Sequence, residues 1–182
     1  MKKKHNVYVD DSCLYVEGQV ASALASGIAM NDSEARSFEK RDLQFAIDFK
    51  ALFARLDARV GRAWLFGSTT TVNGSIWRHA SAAGFELRTT ERALGRREKG
   101  VDAEMLLTIS ETTSDFGPGD VVTLVTGDGD FTPVVKRLVA RGIFVRVVFW
   151  RHATSATLIS TASAFSGLDV GINALRLRRR VA

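Results

Sequence analysis

An α/β fold of three layers, with helices covering both faces of a central, mainly parallel sheet, is predicted by three features of the sequence. Short runs rich in β-branched and aromatic residues alternate with stretches of helical period. The first of these runs, "NVYVDD", stops abruptly at two acids, and the most apolar one, "VVTLVT", has the continuous hydrophobicity of a strand in the middle of a sheet. Strands separated by helices return in parallel through right-handed crossovers, which leaves few topologies.

Taken in order, "NVYVDD" is the first strand. From Asp32 onward the pattern changes, and Phe45, Phe49, Leu52, Phe53 and Leu56 share one face of a helix, as core residues. "RAWLF" ahead of Gly67 is a second strand, residues 76–83 a short helix stopped by Gly84, and "FELRT" a third strand. Met105, Leu106 and Ile109 give helical spacing before "GPGD" breaks it and leads into "VVTLVT". Pro133 suits the first turn of the next helix and Gly142 its end; "IFVRVVFW" follows as a strand. Residues 155–165 read as a last helix, with Leu168 and Val170 in an edge strand before an arginine-rich tail.

At 182 residues and 46% hydrophobic composition, one domain is expected, with its core at about residues 6–170 and a basic tail at 171–182. A lone cysteine, Cys13, cannot form an internal disulfide, and "MKKKH" has no apolar stretch behind it to make a signal peptide. A cytoplasmic location follows as an expectation. No apolar run approaches the roughly 18 residues that span a bilayer, so no membrane partner is expected. The net charge of +5 favours polyanions through phosphate neutralisation. Arg88, Arg92, Arg96, Arg97 and Lys99 form one basic cluster, and Arg96, Arg97 and Lys99 lead straight into an acidic motif, which makes them candidates for nucleic-acid contact. Arg176, Arg178, Arg179 and Arg180 suit a solvated tail as well as they suit RNA contact.

The acids carry the chemistry. Asp10 and Asp11 end the first strand, and Asp128 and Asp130 follow "VVTLVT" in "TGDGDF". Ligands in such sheets sit beyond the carboxyl ends of the strands, where the strand order reverses. If the two strands are neighbours there, Asp10 and Asp128 converge on one cation, and Asp102 of "EKGVDAE" can join from the start of its helix. Clustered carboxylates repel unless a cation offsets them, and Mg²⁺ or Mn²⁺ needs only a few oxygen ligands because it keeps several waters. Such a metal activates water and stabilises phosphoryl oxygens. Gly127 and Gly129 allow a sharp turn, and Thr126 offers a hydroxyl. An acid after a strand is also an ordinary turn former or helix cap, a reading that stays level with the ligand reading for Asp11 and Asp130.

These residues resemble the NYN domains of the LabA-like group, relatives of the PIN nucleases. "VDDSCLY" resembles their first-strand motif, "EKGVD" their Lys-Gly-x-Asp element, and "TGDGDFTPVVKRLVARGIFV" their Ser/Thr-Gly-Asp-x-Asp-Phe unit; "LFGS" and "WRHASAAGFEL" are similar to the middle section. The resemblance spans about residues 6–169. It implies a Rossmann-like PIN fold, action on RNA, metal-binding and catalytic roles for Asp10, Asp102 and Asp128, and a fourth metal-site acid in Asp130. Two positions depart from the family pattern: Cys13 stands where Asn is usual, and Thr108 where many members carry a further Asp. A buried cysteine at position 13 acts as a small apolar filler rather than a nucleophile.

The expected function is therefore a metal-dependent ribonuclease, with a catalytically weak or silent RNA-binding module of the same fold as the alternative. A receiver-type domain is disfavoured because the third strand ends in "LRTTE" without an aspartate, a dinucleotide site because "GDGDFT" lacks a third glycine, and an EF-hand because "DGD" stands without the rest of the loop. A homodimer is compatible with all of these readings.

Overall fold

The computed structural model describes residues 3–58, 61–69, 74–91 and 100–178. Its first strand, β1 (His5–Asp10), is buried along its whole length, as a strand with helices on both faces must be. It passes without a loop into α1 (Asp11–Ala25), then α2 (Asp32–Arg36) and α3 (Phe49–Arg55). A regular alternation follows: β2 (Arg62–Thr69), α4 (Gly74–Ala83), β3 (Glu86–Glu91), α5 (Val101–Thr112), β4 (Val121–Val125), α6 (Thr132–Ala140), β5 (Phe144–Phe149), α7 (Ala156–Thr161), β6 (Ala164–Gly167) and α8 (Ile172–Leu175).

The six strands lie in the order β3-β2-β1-β4-β5-β6, and all five pairings are parallel. Order reverses between β1 and β4, so the predicted neighbours at the switch point are neighbours, and "VVTLVT" is central. Strand alternation divides the core into two layers. Val7, Val9, Leu65 and Val125 pack against α1, α3, α4 and α8, while Tyr8, Trp64, Leu124 and Val147 pack against α5, α6 and α7.

Three elements differ from the sequence expectation. The fifteen-residue α1 went unread, because Leu14, Val20, Ala21 and Ala23 are buried together with Gln19 and Ser22, so no single apolar stripe marks it. The expected helical face from Phe45 to Leu56 is helical only at Phe49–Arg55. Phe45 lies outside that helix, edge-on to Trp150, over Gly18 of α1, where any Cβ would come within 2.7 Å of the Phe45 ring. The last helix stops at Thr161, the edge strand is Ala164–Gly167, and Leu168 is a buried core residue.

The basic tail also begins later than expected. Ile172 and Leu175 are buried, Ile47 bridges to Arg176, and Arg176 hydrogen-bonds Ser22 and, at 2.7 Å, Asp42, with its guanidinium over the Phe45 ring. Arg178 is exposed; Arg179 and Arg180 lie outside the described residues. Asp42 is buried, which alone would raise its carboxyl, but Ser22 and Arg176 hold it below the ordinary carboxylate value. Its stabilising contribution is therefore present above pH 3.8 and lost as pH falls through the folded value. Arg176→Met should lower the unfolding free energy at pH 7 by about 1.5–3 kcal/mol, the worth of a hydrogen bond to a charged group. Urea denaturation measures it, and the deficit should shrink in acid as Asp42 protonates.

Candidate functional site

The site begins with strand phase. Asp10 continues the alternation of Tyr8, and Thr126 that of Val122 and Leu124; paired register at Val9 and Val125 sets the two residues side by side at the carboxyl edge. Thr126 Oγ1 donates to Asp10 Oδ2 at 3.2 Å and accepts from the backbone N–H of Asp128 at 3.2 Å. Asp128 Oδ1 in turn accepts from the backbone N–H of Asp130 at 2.8 Å, capping a 3-10 turn over Gly129–Phe131. A chain of hydrogen bonds thus runs from Asp10 to Asp130. It fixes the carboxylate of Asp10, which is 4% exposed, relative to that of Asp128.

Asp10, Cys13, Glu17, Thr126, Gly127, Asp128, Phe149 and Ala153 line one cleft of about 180 Å³. Gly127 is required there: a Cβ would lie 2.1 Å from the Ala153 carbonyl oxygen and 2.6 Å from the Phe149 ring. The Gly127 carbonyl also accepts from the backbone N–H of Ser155 at 2.9 Å, which fastens the turn after β5 onto the turn after β4. A larger cavity of about 500 Å³, lined in part by Lys3, Lys4, Arg62 and Asp115, opens at the amino edge of the sheet. It is remote from the strand ends that carry the acids, and Lys4 and Arg62 are paired there with Asp115 and Glu86.

Of the expected acids, the structure brings Asp10 and Asp128 to one cleft, with Thr126, Gly127 and Cys13. Asp102 is exposed in the first turn of α5, and Asp130 is exposed on the 3-10 turn; neither lines the cleft. Asp11 sits in the first turn of α1, where an acid complements the helix dipole, the plainer of its two readings. Cys13 is exposed on the cleft wall and is not the buried filler expected. Thr108 is buried on α5. Arg96, Arg97 and Lys99 lie outside the described residues; Arg88 is exposed on β3.

Glu17 is a cleft residue that sequence reading missed. It lies four residues beyond Cys13 on α1, so the two share a helix face. Its carboxylate is held between Arg36 and His152: Arg36 Nη1 lies 2.9 Å from Oε1, and His152 Nε2 2.9 Å from Oε2. On its other side, His152 Nδ1 lies 3.8 Å from Asp169 Oδ1, while Asp169 Oδ2 accepts from the backbone N–H of Arg151. Burial alone would pull the His152 imidazole down, but Asp169 and Glu17 hold it above its ordinary value. Asp169 sits below its own despite burial, through His152 and the Arg151 backbone.

Among the described residues, no three His, Cys, Asp or Glu side chains form a ready-made metal cage. The donor set nonetheless suits a hard cation, because two carboxylates and a hydroxyl at one small cleft match an ion that retains several waters.

The family model of the NYN domain matches residues 30–169. That span holds Asp102, Asp128 and Asp130 and begins after Asp10, Cys13 and Glu17. The crystal structure of a protein of unknown function from Vibrio parahaemolyticus is similar over 97% of this chain and 98% of its own, at 20% sequence identity and a TM-score of 0.65. At that identity the likeness bears on the fold. No curated protein matches the chain. No described helix is long and apolar enough to cross a membrane.

Gly127→Ala should cost about 1–3 kcal/mol by overpacking the wall against the Ala153 carbonyl. Chemical denaturation reads this out; an unchanged midpoint would mean that the two turns do not close on each other.

Proposed function

From the premise that this chain belongs to the NYN domain family, a branch of the PIN-like nuclease superfamily, we propose that it is a metal-dependent ribonuclease whose cleft lies between the ends of β1 and β4. The observation that carries the reading is the pair of carboxylates, Asp10 and Asp128, lining one cleft at the switch point of the sheet and tied together through Thr126.

In this reading Asp10 and Asp128 hold the metal directly. Asp102, at the start of α5, and Asp130, on the turn that Asp128 caps, add negative charge at the same edge and take up ligand or water contacts once metal and RNA are present. Mg²⁺ or Mn²⁺ supplies Lewis-acid activation of water and stabilisation of phosphoryl oxygens when bound. Thr126 orients the Asp10 carboxylate, and Gly127 lets the turn after β4 pack against Ala153 and Phe149 beside it. Arg96, Arg97 and Lys99, just ahead of Asp102 in the chain, contact the RNA phosphates, so binding weakens as salt rises.

A second reading is a catalytically silent RNA-binding module of the same fold. Cys13 favours it, because a thiol on the cleft wall supplies only a weak donor and acceptor where the family pattern has an amide. The two readings separate in one assay: purified protein incubated with single-stranded and structured RNA in Mg²⁺, Mn²⁺ or EDTA. Cleavage is expected with either metal and none in EDTA. Asp10→Asn and Asp128→Asn should each lower the rate by at least about 10²-fold while the circular dichroism spectrum is unchanged. Salt-sensitive RNA binding without cleavage in any metal would favour the silent module.

A further inference from the structure

One group on the cleft wall is not used by the metal reading. Glu17 faces the same cleft as Asp10 and Asp128, yet its two oxygens are engaged by Arg36 and His152, so it is poorly placed to surrender them to a cation. Behind it, His152 is largely buried and joins Glu17 to Asp169 across the turn that follows β5. A carboxylate on the wall, backed by an imidazole that a second carboxylate anchors, is an arrangement for moving a proton into or out of the cleft.

We propose that Glu17 protonates the leaving ribose oxygen, with His152 as the source of the proton and Asp169 as the anchor of the imidazole. The proposal rests on the ribonuclease reading. In hydrolysis a P–O bond forms to the water oxygen and the P–O bond to ribose breaks, its electron pair passing to the leaving oxygen. His152 Nε2–H first passes its proton to Glu17 Oε2, and the carboxyl so formed gives it to that oxygen. His152 is left neutral and regains a proton from solvent, and the proton shed by the attacking water goes to solvent.

The direction of transfer follows from the charges around the imidazole. His152 faces Glu17 from α1 and Asp169 from beyond β6, with Asp32 of α2 further off; Arg36 sits across Glu17, and Arg151 adjoins it in the chain. Three acids outweigh the two cations, and Asp169 and Glu17 hold the imidazole above its ordinary value, which favours His152 as the proton's source and Glu17 as its carrier into the cleft.

The test compares leaving groups. Wild type, Glu17→Gln and His152→Gln are assayed in Mn²⁺ on single-stranded RNA, whose ribose oxygen needs a proton to leave, and on bis(p-nitrophenyl) phosphate, whose p-nitrophenolate does not. Both variants should lose about 10²-fold or more on RNA and stay within about threefold on the ester. The RNA rate of the wild type should fall as pH rises through the His152 value, a limb that His152→Gln lacks. Nitrogen-15 NMR of the metal-free protein gives an independent readout: His152 should be charged at pH 6.5, and Glu17→Gln should lower its pKa. Equal losses on both substrates, no loss on RNA, or a neutral His152 that ignores Glu17→Gln would each overturn the proposal. A wild type that cleaves neither substrate would overturn the ribonuclease reading itself, and this proposal with it.

Discussion

Parallel pairing of β1 with β4 is the constraint from which the rest of the molecule follows. Because every crossover in such a sheet is right-handed, strands wound outward from β1 in two directions place their helices on opposite faces, and the connections leaving β1 and β4 diverge. Divergence opens a cleft, which the turns after β4 and β5 then wall. The register then decides which side chains meet there: Asp10 follows the phase of Tyr8, Thr126 that of Leu124, and the hydroxyl of one reaches the carboxylate of the other. A slip of one residue in that pairing would turn Asp10 toward the opposite layer.

The cleft is also organised by charge. Asp10, Glu17 and Asp128 share about 180 Å³, a concentration of carboxylates that would be unfavourable without compensation. Glu17 receives its compensation from within the chain, through Arg36 and His152, whereas Asp10 and Asp128 are tied to each other through neutral groups, the Thr126 hydroxyl and a backbone N–H. The turn after β5 matters because the same segment supplies His152, closes on Gly127 through Ser155, and fills the wall with Ala153.

Strands and their terminal acids were legible because both signals are local. "VVTLVT" is apolar on both faces, and "DD" and "DGD" break such runs abruptly, so Asp10 and Asp128 could be placed at strand ends, converging on condition that the two strands are neighbours, as they are. Other features were hidden because no local pattern encodes them. The helix after β1 is buried on more than one side and presses Gly18 against Phe45 and Trp150, so it shows no clean apolar stripe, and Glu17 went unseen with it. Read as a helix, the stretch would have shown Cys13 and Glu17 on one face. His152 lies 135 residues from Glu17, a contact made by the fold and not by any spacing. Phe45 kept the helical period while lying in irregular chain, because its burial is set by Gly18 and Trp150.

A metal ion held between the ends of β1 and β4 would be visible in anomalous diffraction from crystals soaked in Mn²⁺. The expected result is a manganese peak between the carboxylates of Asp10 and Asp128 that vanishes in Asp128→Asn. A peak elsewhere in the molecule, or no peak in a protein that still cleaves RNA in Mn²⁺, would contradict it.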